Sequence, residues 1–191
     1  MSSHEIEIEV VSRVEAGEIL CSSDLCDEVA YLVSIGDGDD PLPNGYENVD
    51  QKLRLLIADV VGDEGATEND IKQIIYLAEQ LKSRSGKVLV HCEAGVSRST
   101  AVALIIYARW LGRGREPEAM RRVIRQRPQA LPNQRMVRLA DQLLQLDGRL
   151  LEARDTYVFS LSFDSEPSSK PALHARPRYN EQHGRVCRQG Y

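Results

Sequence analysis

The sequence has few cysteines and no long apolar run, and both absences exclude classes of protein. Four cysteines among 191 residues do not make the disulfide scaffold on which small secreted domains depend. No apolar run approaches the roughly 18 residues that a membrane-spanning helix requires. The first ten residues, MSSHEIEIEV, are acidic and alternate in polarity, which is unlike a signal or transit peptide. We therefore expect a cytoplasmic protein without a membrane partner.

The charged residues are unevenly distributed, although the net charge is only −5. Residues 1–70 contain 18 Asp and Glu against 3 Lys and Arg, whereas residues 71–154 contain 16 Lys and Arg against 7 Asp and Glu. A basic half indicates where an anionic ligand would bind. The alternative is that both halves are solvated surfaces, because exposed charge pairs contribute little to stability.

The pattern of apolar residues predicts a single α/β domain over residues 1–154. Short apolar runs predict strands over residues 5–11, 17–21, 30–35, 52–58 and 87–91. Helical periodicity predicts helices over residues 67–81, 98–111 and 118–127, and a last helix from Asn133 to Leu150. Strands that alternate with helices indicate a central, mostly parallel sheet flanked by helices. Periodicity fails beyond residue 154, so we expect residues 155–191 to be a flexible tail.

The segment VHCEAGVSRST, residues 90–100, carries the strongest chemical signal. Cys92 ends a predicted buried strand, and Arg98 begins a helix that is apolar on nearly every side. A tight loop at such a junction directs backbone N–H groups and the positive end of a helix dipole at one point. Gly95 lets the backbone turn there, and the Arg98 guanidinium can bind two oxygens of a tetrahedral anion. The same field favours a nucleophilic thiolate at Cys92, so the segment predicts phosphoryl transfer through a phosphocysteine. The alternative is a structural cysteine in an ordinary strand-to-helix turn.

The order H-C-x-x-G-x-x-R-S/T in this segment resembles the signature of the cysteine-based protein tyrosine phosphatases. The fuller pattern H-C-x-A-G-x-S-R-S resembles their dual-specificity subgroup, and the similarity covers roughly residues 5–150. The resemblance implies a phosphatase-like α/β catalytic domain and a phosphomonoester hydrolase that needs no metal and no cofactor. It further implies that Cys92 is the nucleophile, Arg98 the phosphate clamp and Ser99 a hydroxyl that helps the thiolate leave. Supporting positions are His91 and Asn133, and the substrate-binding loop is Glu93, Ala94, Gly95, Val96 and Ser97.

Phosphate-ester cleavage also needs an acid that protonates the leaving oxygen. The family places an aspartate about thirty residues before its cysteine, at the end of a strand. Asp59 lies 33 residues before Cys92 and follows the predicted strand 52–58, while Asp63 and Glu64 lie in the same loop. We predict that Asp59 is the acid, because a residue fixed at a strand end is better preorganised. Asp63 is the alternative, and Asp59 would then only cap the loop.

The expected substrate is a phosphorylated protein, at tyrosine and at serine or threonine. The chain lacks the tryptophan-proline-aspartate loop and the Lys-Asn-Arg-Tyr segment of the larger tyrosine-specific enzymes, which implies a shallower pocket. The loop 93–97 contains no lysine, and Glu93 would repel extra phosphates, so inositol lipids are disfavoured. Phosphorylated glucans and 5′-triphosphorylated RNA are alternatives, although no aromatic-rich basic surface indicates a nucleic-acid partner.

Two further classes of function remain open from the sequence. One is a phosphoprotein-binding module with little turnover, and the other is a rhodanese-like sulfurtransferase or arsenate reductase. Cys21 and Cys26 are predicted to be small buried apolar residues. The alternative for these two cysteines is that either protects Cys92 as a reversible disulfide. The oligomeric state is not predicted.

Overall fold

Within residues 6–164, which the computed structural model describes, four strands form one parallel sheet with the order β1-β4-β2-β3. The strands are β1 (Glu7–Ser12), β2 (Val29–Gly36), β3 (Lys52–Leu56) and β4 (Lys87–Cys92). The helices are α1 (Arg13–Cys21), α2 (Ser23–Cys26), α3 (Glu68–Leu81), α4 (Arg98–Leu111), α5 (Glu116–Gln126), α6 (Gln134–Leu143) and α7 (Arg149–Asp164). The predicted α/β domain, with a parallel sheet flanked by helices, is confirmed.

Both faces of the sheet are covered. Successive side chains of a strand point to opposite faces, so Val88 and Val90 of β4 face one core while Leu89 faces the other. The larger core contains apolar residues of α3 to α7, and the smaller one contains Ala16 and Leu20 of α1. Burial on both faces explains why the two central strands, β2 and β4, are nearly continuous apolar runs in the sequence.

The parallel arrangement brings the carboxyl ends of all four strands in residues 6–164 to one edge of the sheet. Ser12 of β1 pairs with Cys92 of β4, and Gly36 of β2 pairs with Leu56 of β3. Residues that directly follow the strands therefore meet at this edge. Ligands of open α/β sheets bind at such an edge.

The most buried helix, α4, has the bounds that the sequence predicts. Residues 98–108 are all buried, so the helix passes through the core instead of covering it from one side. Gly112 ends α4 with a φ of 80°. No helix in the described part of the chain is long and apolar enough to cross a membrane.

The predicted strand at residues 17–21 is wrong, because this segment is helical in α1. Ser12 caps the helix: its hydroxyl accepts a hydrogen bond from the N–H of Glu15 (3.2 Å), and its own N–H donates to the Glu15 carboxylate (2.7 Å). This capping box starts the helix ahead of the apolar run. A short apolar run alone does not distinguish a strand from a helix.

The predicted last helix, from Asn133 to Leu150, is two helices, α6 and α7. Gln145, Asp147 and Gly148 have positive φ values of 56°, 54° and 83°, which end the first helix. The buried carboxylate of Asp141 accepts hydrogen bonds from the N–H groups of Gly148 (2.7 Å) and Leu150 (2.8 Å). Asp141 thereby fixes the start of α7.

Helix α7 continues to Asp164, ten residues past the boundary expected at residue 154. Tyr157 packs against the larger core, and Arg154 donates to the carbonyl oxygen of Pro132 at 2.7 Å. The remaining part of the expected tail, residues 165–191, lies outside the described residues.

Candidate functional site

The loop of residues 93–97 connects β4 to α4 and is held from two sides. Gly95 has a φ of 70°, and a Cβ at this position would lie 2.7 Å from the backbone nitrogen of Ser12. Only glycine therefore fits between the loop and the end of β1. On the other side, the N–H of Leu131 donates to the carbonyl oxygen of Val96 at 2.9 Å. The loop is thus a preformed turn.

Cys92 lies at the base of this loop. The residue is 2% exposed, and its Sγ lies 3.2 Å from the hydroxyl oxygen of Ser99. Helix α4 has no side-chain cap and no acidic residue in its first turn, so its first N–H groups and its dipole favour an anion at the loop. Ser99 can donate a hydrogen bond to a thiolate at Cys92.

Arg98 is buried beside the loop with one edge of its guanidinium engaged. Nη1 donates to the carbonyl oxygen of Ile57 (2.8 Å) and to Oδ1 of Asp37 (3.2 Å). Nε is buried and has no hydrogen-bond partner. An unpaired buried donor is costly, so a bound anion would satisfy a group that the protein leaves open.

Asp59 lies next to Arg98 and is fixed by two neutral donors. Its Oδ1 accepts hydrogen bonds from the hydroxyl of Ser97 (2.6 Å) and from Nδ2 of Asn133 (2.9 Å), and its Oδ2 lies 3.6 Å from Nε of Arg98. Asn133 also caps α6, because its side-chain oxygen accepts from the N–H of Met136 at 3.2 Å. One side chain therefore ties the start of α6 to the carboxylate.

Asp63, the alternative acid, points away from this cluster. Its side chain is fully exposed, and its Oδ1 accepts a hydrogen bond from Nη1 of Arg135 at 2.8 Å. It makes no hydrogen bond or ion pair with Arg98 or with the loop 93–97 in the described residues. The structure thus brings Asp59 to Arg98, and not Asp63.

His91 is buried below the loop and is neutral near pH 7. Its Nδ1 lies 3.3 Å from the carbonyl oxygen of Cys92, while Nε2 has no partner among residues 6–164. Burial lowers the pKa of His91 to about 4, because the apolar surroundings disfavour the charged imidazolium. His91 is therefore a neutral imidazole in contact with the backbone at Cys92, and the supporting role that the resemblance implies for it stays a prediction.

A family comparison agrees with this geometry. The model of the dual specificity phosphatase, catalytic domain, matches residues 41–146, more than half of the chain. The chain belongs to this family. It is a cysteine-based phosphatase of the dual-specificity subgroup, as the residues around Cys92 suggest.

Several solved structures, including one of a phosphatase-like protein, share the fold. Human DUSP28 is 21% identical with a TM-score of 0.56, and the match covers 83% of this chain and 95% of that one. DUSP15 is 18% identical with a TM-score of 0.53, covering 80% and 90%. The human tyrosine phosphatase-like serine/threonine/tyrosine-interacting protein is 17% identical with a TM-score of 0.52, covering 63% and 79%. A search of curated proteins found no significant match.

The phosphatase neutralises Glu93 at the rim of its loop. Nε and Nη2 of Arg13 donate to the two carboxylate oxygens of Glu93 at 2.7 and 3.1 Å. This pairing lowers the pKa of Glu93 below its usual range. Repulsion of extra phosphates by Glu93, expected from the sequence, is therefore reduced by its partner.

Two acidic residues near Arg98 were not predicted. Asp37 contacts Nη1 of Arg98, and Oδ2 of Asp40 lies 3.8 Å from the same nitrogen. Both follow β2 in the segment GDGDDPLPNG, which the sequence indicates only as a loop. The signal that was available is their position just after an apolar strand, where a parallel sheet collects functional residues.

The other two cysteines of the described residues, Cys21 and Cys26, lie away from the site. The prediction that both are buried is wrong for Cys21, which is exposed at the end of α1. Cys26 is partly buried, and its Sγ lies 4.0 Å from the carbonyl oxygen of Asn48. Neither contacts Cys92, so protection of Cys92 by a disulfide gains no support from the fold. No group of three or more potential metal ligands lies among residues 6–164.

Proposed function

We propose that this phosphatase hydrolyses phosphate esters on proteins, at tyrosine and at serine or threonine, through a phosphocysteine. The observation that carries the proposal is the arrangement around Cys92. Its sulfur lies at the base of a loop flanked by the start of α4, which has no side-chain cap, and by Nε of Arg98, which has no hydrogen-bond partner among residues 6–164. These groups together suit a tetrahedral dianion held against a nucleophile.

The first step forms a sulfur–phosphorus bond. The Cys92 thiolate attacks phosphorus, the bond to the ester oxygen breaks, and Asp59 gives its proton to that oxygen as it leaves. In the second step water attacks the phosphocysteine, the sulfur–phosphorus bond breaks, and inorganic phosphate is released. Asp59 then takes a proton from the water, and Ser99, 3.2 Å from the sulfur, stabilises the departing thiolate.

The surroundings of the loop favour a protein substrate. Glu64 is exposed on a neighbouring loop and makes no ion pair within residues 6–164, so its carboxylate repels polyphosphorylated lipids and the RNA backbone. The exposed Asp37 and Asp63 are paired with Arg98 and Arg135, which reduces their share of this repulsion. Val61 and Leu131 are exposed apolar side chains, 61% and 43% exposed respectively. Residues that flank a phosphorylated side chain in a peptide can pack on them, which supports a phosphoprotein substrate over a phosphorylated glucan.

A substrate comparison with a trapping variant tests this function. Wild type should hydrolyse 4-nitrophenyl phosphate and a phosphopeptide panel, and should act poorly on polyphosphoinositides, phosphoglucan and 5′-triphosphorylated RNA. Cys92→Ser should bind the same phosphopeptides without turnover, because a serine hydroxyl has no base here to ionise it. Turnover near the wild-type rate in Cys92→Ser would exclude the phosphocysteine. A non-protein ester hydrolysed far faster than every phosphopeptide would exclude the protein substrate.

The role of Asp59 is tested by the basicity of the leaving group. Loss of a general acid typically costs on the order of 10²–10⁴-fold in rate, and the loss is greatest when the departing oxygen is most basic. Asp59→Asn should therefore slow phosphoserine peptides most and 4-nitrophenyl phosphate least. Asp63→Asn is the matched control and should leave the whole aryl-phosphate series unchanged. If only Asp63→Asn steepens the dependence on leaving-group pKa, the acid is Asp63.

A binding module without turnover is the second candidate function. The fold is shared with a human protein that is named tyrosine phosphatase-like and serine/threonine/tyrosine-interacting. Against this alternative, Cys92, Arg98 and Ser99 are all present, and the sulfur of Cys92 lies 3.2 Å from the hydroxyl oxygen of Ser99. Phosphopeptide binding by wild type with no hydrolysis of any aryl phosphate would favour the binding module. The family match leaves the sulfurtransferase and arsenate reductase alternatives without support.

A further inference from the structure

The guanidinium of Arg98 is supported along one edge and open along the other. Nη1 is bonded to Ile57 and Asp37, whereas Nε and Nη2 have no hydrogen-bond partner within residues 6–164. These two N–H groups are parallel and match two oxygens of a phosphoryl group. The Nε–Nη2 edge stays available for an anion as long as Nη1 keeps its hydrogen bonds to Ile57 and Asp37.

Other carboxylates compete for the same guanidinium. Oδ2 of Asp59 lies 3.6 Å from Nε, and Oδ2 of Asp40 lies 3.8 Å from Nη1. Without Asp37, the carbonyl oxygen of Ile57 would be the one hydrogen-bond acceptor left to Arg98 among residues 6–164. The guanidinium could then shift towards Asp59 and shorten the 3.6 Å ion pair at Nε to a hydrogen bond, which would engage both the phosphate clamp and the proposed acid.

Asp37 is itself held in place by its loop. Its N–H donates to Oδ2 of Asp40 at 2.7 Å, and the N–H of Asp40 donates back to the Asp37 carbonyl oxygen at 3.1 Å. Arg54 of β3 donates to the Asp40 carbonyl oxygen (3.2 Å) and to the hydroxyl of Ser34 (2.8 Å). A continuous set of hydrogen bonds therefore connects β2 and β3 to Asp37 and, through it, to Arg98.

We propose that Asp37 is a positioning residue that anchors Arg98 through Nη1, so that Nε stays 3.6 Å from Asp59 without a hydrogen bond to it and the Nε–Nη2 edge remains available for phosphate. The proposal rests on the phosphatase activity proposed above. Asp37 acts through its oxygen as an acceptor and not through its negative charge, since the charge alone would weaken the binding of a dianion. Substitutions of Asp37 can therefore separate the effect of its acceptor oxygen from the effect of its negative charge.

Three variants separate the two roles. Asp37→Asn keeps an oxygen for Nη1 and removes the charge, Asp37→Ala removes both, and Asp39→Ala changes an exposed residue of the same loop that makes no hydrogen bond or ion pair in the described chain. Steady-state kinetics with 4-nitrophenyl phosphate gives kcat and KM. Calorimetric titration with inorganic phosphate gives a Kd that needs no turnover, and thermal unfolding checks the fold.

Asp37→Ala should raise KM and the phosphate Kd by about tenfold, the size expected for one charge-assisted hydrogen bond, with kcat changed less than about threefold. Asp37→Asn should restore both constants to within about threefold of wild type, and Asp39→Ala should match wild type. If Asp37→Ala does not fold, Asp37→Ser is measured with the same expectation.

Two results overturn the proposal. One is that Asp37→Ala has the same KM and phosphate Kd as Asp39→Ala. The other is that Asp37→Ala binds phosphate more tightly than wild type, which would make Asp37 a competing anion. A wild-type chain that binds phosphate but hydrolyses no ester contradicts the proposed function, and the phosphate titrations still decide the role of Asp37.

Discussion

The buried imidazole of His91 predicts a specific loss of stability in acid. His91 is 1% exposed, and burial lowers its pKa to about 4 from the ordinary 6.5. Between pH 4 and pH 6.5, His91 is mostly protonated in the unfolded chain and mostly neutral in the folded chain, so a fall in pH favours unfolding. The stabilisation is therefore complete above pH 6.5 and is lost as the pH falls towards 4.

The size of the effect follows from the two pKa values. One pKa unit corresponds to about 1.4 kcal/mol, so the full difference amounts to roughly 3 kcal/mol below pH 4. At pH 5 the titration is partial, and the linkage gives a loss of about 2 kcal/mol relative to pH 7.5. This is a large share of the stability of an ordinary domain.

His91→Asn isolates this contribution. The asparagine amide places a donor near the position of Nδ1, which lies 3.3 Å from the carbonyl oxygen of Cys92, and it does not titrate. The variant is less stable at every pH because packing is lost, but its free energy of unfolding should fall less in acid. Urea denaturation at pH 7.5 and pH 5.0 should show wild type losing about 2 kcal/mol more than the variant.

Parallel pH dependences in the two proteins would refute this reasoning. A second measurement is the NMR titration of the imidazole signals, in which the His91 signal is identified by its absence in the variant. A pKa near 6.5 for that signal would show that burial does not act as described. Glu15, whose pKa is lowered to about 2 chiefly by its hydrogen bond with Arg127, contributes equally to both proteins and cancels.

Four further results are expected. Gly95→Ala should reduce aryl-phosphate turnover at least about 100-fold with an unchanged circular dichroism spectrum, since one misplaced loop atom disturbs the whole cradle; full activity would contradict the tight contact with Ser12. Arg98→Lys should lose as much activity, because an ammonium cannot present a planar two-bond edge, and retained activity would exclude the clamp. Asp141→Ala should lower the free energy of unfolding by about 2 kcal/mol, since the buried N–H of Leu150 and the part-buried N–H of Gly148 lose their acceptor; a change within experimental error would show that water replaces the carboxylate. Chelators should leave turnover unchanged, and inhibition reversed by a divalent metal would indicate different chemistry.

The predictable part of the site is the part that is local in sequence. Cys92, Gly95, Arg98 and Ser99 lie within eight residues, and their relative positions follow from one strand, one turn and one helix. The position of Asp59 could also be predicted from the sequence, because it follows an apolar strand and parallel strands bring their carboxyl ends to one edge of the sheet. In both cases the spacing and the chemistry of the residues are sufficient to predict where they lie in the fold.

The errors in the fold arose where side-chain caps outweigh apolar pattern. The capping box of Ser12 and Glu15 turns an apparent strand into α1. The carboxylate of Asp141 divides one apparent helix in two, although the apolar periodicity runs on without a break through Leu143, Leu146 and Leu150. A hydrogen bond to a few backbone N–H groups decides where a helix begins, and it leaves little trace in a hydrophobic pattern.

The support of Arg98 was beyond prediction for a different reason. Its two anchors, Asp37 and the carbonyl oxygen of Ile57, lie 61 and 41 residues away in sequence, and one of them is a backbone atom that no residue type reveals. Their convergence depends on the pairing of β2 with both β3 and β4, which places the residues after three strands around one guanidinium. The family signature thus predicts which group binds phosphate, whereas the strand order determines which edge of that group is left without a hydrogen bond.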